Sequence, residues 1–284
     1  MDYKTILVHL NDEHRAAGLL AAAIGASRAN GAHLIALCVL PPTIIIPGID
    51  GDPGAVIDDH RTSYAAQMTR MQEAFEKTAG AVPALSYEWR ALDCETENPF
   101  GIAASVVAAQ ARCADLVIAS QANPEWSLSG HLDVAEEVIM ESGRPVLVMP
   151  KSGGAAAFGQ RVVVAWNGRR EAARAAFDAM PFLKAAGDVR VVWLNPENEK
   201  QAAGPLPGFE LCEALARHGV KCEAARRSEP GAGAGAALLS AVDEFKADML
   251  VMGCYGHSRL REMVLGGASR HVMQHARVPV LMAH

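Results

Sequence analysis

The chain has 284 residues, enough for two domains of ordinary size that each bury their own hydrophobic core. Half of the residues are hydrophobic but only 5% are aromatic, so the core must consist mainly of Ala, Val, Leu and Ile, which suits parallel strands covered by helices. The net charge is −6, divided as −10 over residues 1–150 and +4 over 151–284. Neither half has the dense Lys and Arg patch of a nucleic-acid-binding protein, so we expect no nucleic-acid partner.

Segments for export or membrane insertion are not expected in this sequence. The N terminus lacks the charged and apolar regions of a signal peptide, and the most apolar segment, 34–49, is short and interrupted by three prolines. The six cysteines are scattered without a Cys-x-x-Cys pair, which argues against disulfides and a zinc ribbon. We therefore expect a soluble, cytoplasmic protein with no membrane partner.

The first half alternates short apolar runs, typical of buried strands, with longer segments of helical spacing. Strands are predicted at 4–10, 33–40, 85–92, 114–119 and 145–149. Helices are predicted at about 12–30, 55–80, 99–112 and 133–142.

Residues 151–159 have the composition of a linker, and the second half then repeats the same plan. Strands are predicted at 161–167, 188–194, 220–228, 247–252 and 278–282. Helices are predicted at 171–186, 210–219, 235–246 and 270–275. Such alternation implies, in each half, a mainly parallel sheet with helices on both faces, a Rossmann-like α/β fold.

The glycine stretch, residues 253–269, separates the last predicted helix from the strand before it. Glycines at 253 and 256 allow backbone conformations closed to other residues, so that N–H groups can converge on an anion. Gly266 and Gly267 open the helix, whose first N–H groups have no partner within it. The stretch follows the fourth strand of its half, where ligands of such sheets bind. Its spacing favours a phosphate cradle, and the alternative is a plain strand-to-helix turn.

The spacing Gly253-x2-Gly256-x9-Gly266, the segment 255–262 and the ending 278–282 resemble the universal stress protein family. Because the plan is repeated, the whole chain is similar to a tandem universal stress protein with domains at 1–150 and 160–284. The resemblance implies five strands in each domain, in a fold like that of the adenine nucleotide alpha hydrolases. It also implies that ATP, with or without Mg²⁺, is the ligand of the second domain.

The resemblance assigns the parts of the nucleotide to particular residues. The adenine is expected at the ends of strands one and two of the second domain, at Ala165, Asn167 and Leu194. The phosphates are expected along the glycine stretch, at Gly253, Cys254, Gly256, His257, Gly266, Gly267, Ala268 and Ser269.

Several positions depart from the family pattern. In the second domain, Gly267 stands where Ser or Thr is usual, although Ser269 still carries a hydroxyl, and Asn167 replaces the usual Asp. In the first domain, Ser120 and Asn123 replace the first two glycines, and Asp133 would compete with a phosphate at its helix start. We therefore expect the first domain to be a degenerate, structural partner without a nucleotide.

No base adjoins a nucleophile and no Gly-x4-Gly-Lys-Ser/Thr loop is present, so we expect no enzymatic activity. His271 and His275 lack a third ligand, so no metal site is expected, and Cys254 leaves an oxidant-sensing role open. The resulting hypothesis is a nucleotide-binding stress-response protein. The alternative is a stress-protein scaffold for protein interactions that binds no nucleotide.

The resemblance also implies how the domains and chains associate. The fifth strands of the two domains, 146–149 and 280–283, are expected to pair across them as an intramolecular pseudo-dimer. Two such chains could associate further as a homodimer.

Overall fold

The computed structural model describes residues 2–42, 53–97, 102–122, 134–151, 157–195, 208–228, 233–254 and 267–284. The chain divides into two compact units, the first of Tyr3–Ser142 and the second of Gly143–His284 with the extreme N terminus. Each unit alternates strands and helices around a mainly parallel sheet, so the expected fold class is confirmed.

The first unit contains a parallel sheet with the order β3-β2-β1-β4. Its strands are β1 (Thr5–His9), β2 (His33–Leu40), β3 (Tyr87–Asp93) and β4 (Leu116–Ser120). Its helices are α1 (Glu13–Asn30), α2 (Pro53–Gly80), α3 (Cys94–Glu97), α4 (Ala103–Ala111) and α5 (Val134–Glu141).

The second unit contains a six-stranded sheet with the order β5-β10-β9-β6-β7-β8. Its strands are β5 (Val146–Met149), β6 (Arg161–Trp166), β7 (Asp188–Asn195), β8 (Cys222–Ser228), β9 (Met249–Gly253) and β10 (Val280–Ala283). Its helices are α6 (Arg170–Asp178), α7 (Met180–Ala185), α8 (Phe209–Arg217), α9 (Ala234–Phe245) and α10 (Ala268–His275).

Strand β5 pairs antiparallel with β10, with Val148 opposite Val280, whereas the other pairs of this sheet are parallel. The two strands thus pair as expected, but both belong to the second compact unit and not to two different ones.

Local chemistry explains where helices begin and end. Asp12 caps α1 by accepting the His14 N–H at 2.7 Å, and Gly31 ends the same helix in the left-handed conformation, at a φ of 59°. The single helix predicted at 171–186 is divided between α6 and α7 because Pro181, in the first turn of α7, has no N–H to donate. No helix among the described residues is long and apolar enough to cross a membrane.

Burial distinguishes the central strands from one another. Strands β1, β4 and β9 are buried over nearly their whole length, whereas the carboxyl end of β6, at Ala165 and Trp166, is half-exposed. This end of β6 is therefore accessible, unlike the rest of the strand's apolar run.

One carboxylate in each unit anchors the start of a central strand, β1 in the first unit and β6 in the second. Asp115, just before β4, accepts the N–H groups of Lys4 and Thr5 at 2.7 and 2.9 Å. Asp248, just before β9, accepts three successive N–H groups, those of residues 159–161, at 2.9 to 3.1 Å. These bonds join β1 to β4 and β6 to β9 at the amino ends of the strands, and they fix the register of each pair.

We predict that Asp248→Ala lowers the free energy of unfolding by about 1–3 kcal/mol, because three N–H groups lose a charged acceptor. Asp248→Asn, which keeps one acceptor oxygen, should lose less. The matched control is Asp243→Ala, an exposed position on α9 that should change stability by under about 0.5 kcal/mol. Urea unfolding of the three variants measures this, and equal losses for Asp248→Ala and the control would contradict it.

Candidate functional site

The predicted site residues of the second unit that the structure describes lie at or near one edge of its sheet. Strands β6, β7 and β9 are parallel, so their carboxyl ends meet at what we call the carboxyl edge. The chain runs outward from β6 to β7 and β8 on one side, and from β9 to β10 on the other. The order of the strands therefore reverses between β6 and β9, the position at which open α/β sheets bind ligands.

The predicted adenine residues lie at this edge. Ala165 pairs with Val192 near the end of β6, Asn167 follows that strand directly, and Leu194 lies near the end of β7. Ala165 and Leu194 are half-exposed and Asn167 is exposed. The three positions are therefore accessible from the carboxyl edge.

The described parts of the glycine stretch lie at its two ends. Gly253 ends β9 and Cys254 follows it, while Gly267 is the N-cap residue of α10, followed by Ala268 and Ser269. The predicted residues Gly256, His257 and Gly266 lie outside the described residues. Ser269 is buried on the inner face of α10 with Val272 and Met273.

Gly253 is required by close packing and not by an unusual backbone conformation. Its φ lies outside the left-handed region, and it pairs with Ala283 as an ordinary strand residue. A Cβ atom built at this position would lie 2.4 Å from the backbone N of Ala172 and 2.5 Å from the carbonyl carbon of Glu171. The first turn of α6 thus lies directly on the end of β9. The expectation that Gly253 releases the backbone into a special conformation is wrong.

Asn167 has a structural role at the start of α6. Its Oδ1 atom accepts the N–H of Arg169 at 3.1 Å, which forms the turn between β6 and the helix. Gly168, at a φ of 71°, lies next to the ring of Trp193 on the neighbouring strand. The side-chain oxygen of Asn167 is therefore already engaged in the turn.

Sequence reasoning missed a buried carboxylate beside this turn. Glu171, in the first turn of α6, has a side chain only 6% exposed, and its Oε1 lies 2.5 Å from Nε of Arg170. Burial raises the pKa of Glu171, but the bonds from Arg170 and from its own backbone N–H, with the charges of Arg170 and His284, lower that pKa below its ordinary value. The first turn of α6, whose backbone contacts the end of β9, therefore carries an ionised carboxylate. An acidic residue in a helix's first turn was the available signal.

Cys254 is a core residue. Its side chain is fully buried, its N–H donates to the Ala283 carbonyl at 2.9 Å, and its own carbonyl accepts from Nδ1 of His284 at 3.0 Å. The thiol lies 4.0 Å from the sulfur of Met282. A thiol without solvent exposure does not favour the oxidant-sensing alternative.

In the first unit, the end of the corresponding strand is more deeply buried. His9 ends β1 and is buried, and burial lowers its pKa to about 4. The Asp12 carboxylate is occupied by α1, and the Ser120 hydroxyl donates to the Gln121 carbonyl at 3.1 Å. Asn123 and Asp133 lie outside the described residues. Within the described part of the chain, no group of three or more His, Cys, Asp or Glu residues could hold a metal ion.

Comparison with known proteins gives a family for the second unit. Residues 159–284 match the family model described as the universal stress protein family, so the C-terminal part of the chain contains a domain of that family. No curated protein matches the sequence.

Solved structures resemble the whole chain. A universal stress protein from Archaeoglobus fulgidus DSM 4304 is similar over 98% of this chain and 95% of its own, with a TM-score of 0.69 and 18% identity. A protein from Pseudomonas aeruginosa UCBPP-PA14 is similar over 99% and 93%, with a TM-score of 0.58 and 16% identity. At these low identities, the similarity shows that both halves of the chain have the same fold as these structures.

We predict that Gly253→Ala lowers the free energy of unfolding by about 1–3 kcal/mol, because the added methyl group meets backbone atoms of α6 that cannot rotate away. Gly187→Ala is the matched control in the same unit. Its Cβ would make only an ordinary contact, 3.6 Å from the Gln160 carbonyl oxygen, and its φ is not left-handed. Thermal unfolding of the two variants measures the difference. A Gly253→Ala protein as stable as the control would show that α6 is free to move.

We also predict a pH-dependent contribution from His9. An unfolded histidine has a pKa of about 6.5, whereas buried His9 has a pKa of about 4, so below pH 6.5 the unfolded chain binds a proton that the folded chain does not. Stability should therefore fall between pH 6.5 and 4, by about 3 kcal/mol in total. Urea unfolding across this range should show a flatter profile for His9→Gln. The exposed control His14→Gln should keep the wild-type slope, and identical slopes for all three would contradict the assignment.

Proposed function

We propose that the protein is a tandem universal stress protein that binds ATP in its second domain, residues 160–284, and acts in stress response or signalling. The proposal is supported by the family match over 159–284 and by the fold similarity over the whole chain. The observation that carries it is the position of the glycine stretch. It begins at the end of β9 and ends at the start of α10, beside the point where the strand order reverses.

Charge supports an orientation for the nucleotide. The buried carboxylate of Glu171 lies in the first turn of α6, so like charge disfavours phosphates on that side of the edge. At α10 the N-cap is a glycine with no side-chain capping bond, so the first N–H groups of that helix can face an anion. We therefore place the phosphates toward α10 and the adenine toward the ends of β6 and β7, near Ala165 and Leu194.

The polar groups of Asn167 and Ser269 have smaller roles in this proposal than the sequence suggested. The Asn167 oxygen holds the turn before α6, and Ser269 lies on the buried face of α10. Recognition of the nucleotide then depends mainly on backbone N–H groups and on the apolar lining of the strand ends. This proposal assigns no catalytic group, so the bound nucleotide, with or without Mg²⁺, is a signal and not a substrate.

The first domain has a structural role in this proposal. The buried His9 and the engaged Asp12 leave its strand edge more filled than the second, in agreement with a domain that binds no nucleotide. The pairing of β5 with β10 supports an intramolecular pseudo-dimer, and association of two chains into a homodimer is a further part of the proposal. A cytoplasmic location accords with this function.

We predict that equilibrium binding of labelled ATP gives one site per chain. Gly256→Val, which adds bulk inside the glycine stretch, should weaken binding at least tenfold, equivalent to about 1.4 kcal/mol. Gly25→Ala is the control, because the added methyl group in α1 meets no atom within 4 Å. It should bind as the wild type does.

Two other measurements separate the proposal from its rivals. Mass spectrometry of native protein should detect a co-purified adenine nucleotide, and phosphate release should stay at the background rate. A wild-type protein without affinity for ATP would support the scaffold alternative. Binding that Gly256→Val leaves intact would place the ligand elsewhere in the chain.

A further inference from the structure

Two cysteines of the second unit meet where α8 packs against β8. Cys212 lies on α8 and is 8% exposed, and Cys222 is the first residue of β8 and is half-exposed. The turn between them passes through Gly219 at a φ of 86°. The fold thus returns the chain so that the second thiol faces the first.

The Cys222 side chain contacts the backbone of Cys212 directly. The Cys222 thiol donates to the backbone carbonyl of Cys212 with a sulfur–oxygen distance of 3.7 Å. Burial, a hydrogen bond to the Cys222 sulfur and the charge of Glu223 raise the pKa of Cys212 to about 12. The pKa of Cys222 is also raised by burial, but the bond from Cys212 partly offsets that rise. The observed contact between the two residues is thus that of the Cys222 sulfur with the Cys212 carbonyl.

We propose that Cys212 and Cys222 form a redox-active dithiol, which closes to a reversible disulfide between α8 and β8. Both residues are in the reduced form in this structure. Strand β8 is the outer strand of this unit's sheet, so it has fewer neighbours to resist the small movement that brings the sulfurs to bonding distance. The proposal does not depend on nucleotide binding.

The oxidant is a low-molecular-weight disulfide, RSSR, such as oxidised glutathione. The thiolate of the more exposed Cys222 attacks one sulfur of RSSR, forming a mixed disulfide and releasing RS⁻, which takes up a proton. The thiolate of Cys212 then attacks the Cys222 sulfur, forming the internal disulfide and releasing the second RS⁻. Two protein thiols are oxidised, and one RSSR is reduced to two RSH.

The buried surroundings affect the rate of the first step. Burial disfavours the ionised form of both groups, so the first attack is slow and the reduced pair gains no stability from a thiolate. Once closed, the bond should also stabilise the fold by restricting the unfolded chain.

The test uses the full chain with Cys113→Ser, because Cys113 is the exposed thiol that would otherwise form its own mixed disulfide. This parent protein is incubated under native conditions with oxidised glutathione. We expect its mass to fall by about 2 Da, the two hydrogen atoms lost, with no retained glutathione. Trypsin should then yield the peptides 201–217 and 222–226 as one linked species, and a reductant should separate them.

The control adds Cys212→Ser to the same parent. Without its partner, Cys222 should keep a bound glutathione, whose mass persists until reduction. When the parent is oxidised in urea, its five remaining cysteines should form several different disulfides. Comparison with the native reaction shows whether the folded structure directs the Cys212–Cys222 disulfide. A parent protein that remains reduced, or that keeps glutathione on Cys222 as the control does, overturns the proposal.

Discussion

A carboxylate before the fourth strand of each half holds the first strand in register, and the central part of each sheet depends on that contact. Asp115 binds the N–H groups of Lys4 and Thr5, and Asp248 binds those at 159–161. In both halves the two joined strands are the ones between which the strand order reverses. The geometry of the carboxyl edge is therefore set partly from the opposite end of the strands, where a charged acceptor bonds to successive backbone N–H groups.

At the carboxyl edge, the position of the helix is determined by packing. Because residue 253 has no side chain, the first turn of α6 lies on the end of β9 and carries Glu171 with it. This approach places a helix turn that carries an ionised, buried carboxylate on one side of the edge. The opposite side, where α10 begins at Ala268 after a glycine cap, carries the positive end of a helix. A ligand with an anionic end can therefore bind in only one favourable orientation.

The sequence was sufficient for the fold because alternation of strand and helix is a local, repeated pattern. The sequence was less informative about residues whose role depends on contacts between segments that are distant in the chain. The sequence repeats Ala-Asp before the fourth strand of each half, at 114–115 and 247–248, but the role of the two Asp residues depends on backbone groups about a hundred residues earlier in the chain. The reason for Gly253 depends on where α6 packs, and the burial of Glu171 depends on the same approach. The pairing of β5 with β10 came from a family resemblance, since four-residue apolar strands specify no partner by themselves.

The two halves use the same strand edge differently, and the difference begins with the residues at the end of the first strand. In the first half that position is His9, an imidazole buried within the core, and the next helix is capped by the carboxylate of Asp12. In the second half the matching position is the half-exposed Ala165, and the N-cap residue of α6, Arg169, makes no side-chain capping bond. A large buried ring fills the end of the strand, and a capping carboxylate accepts an N–H group of the next helix. A methyl group and a helix without such a cap leave space at the equivalent position. The sequence repeat therefore places residues of different size and exposure at equivalent positions, a buried ring in the first half and a half-exposed methyl group in the second.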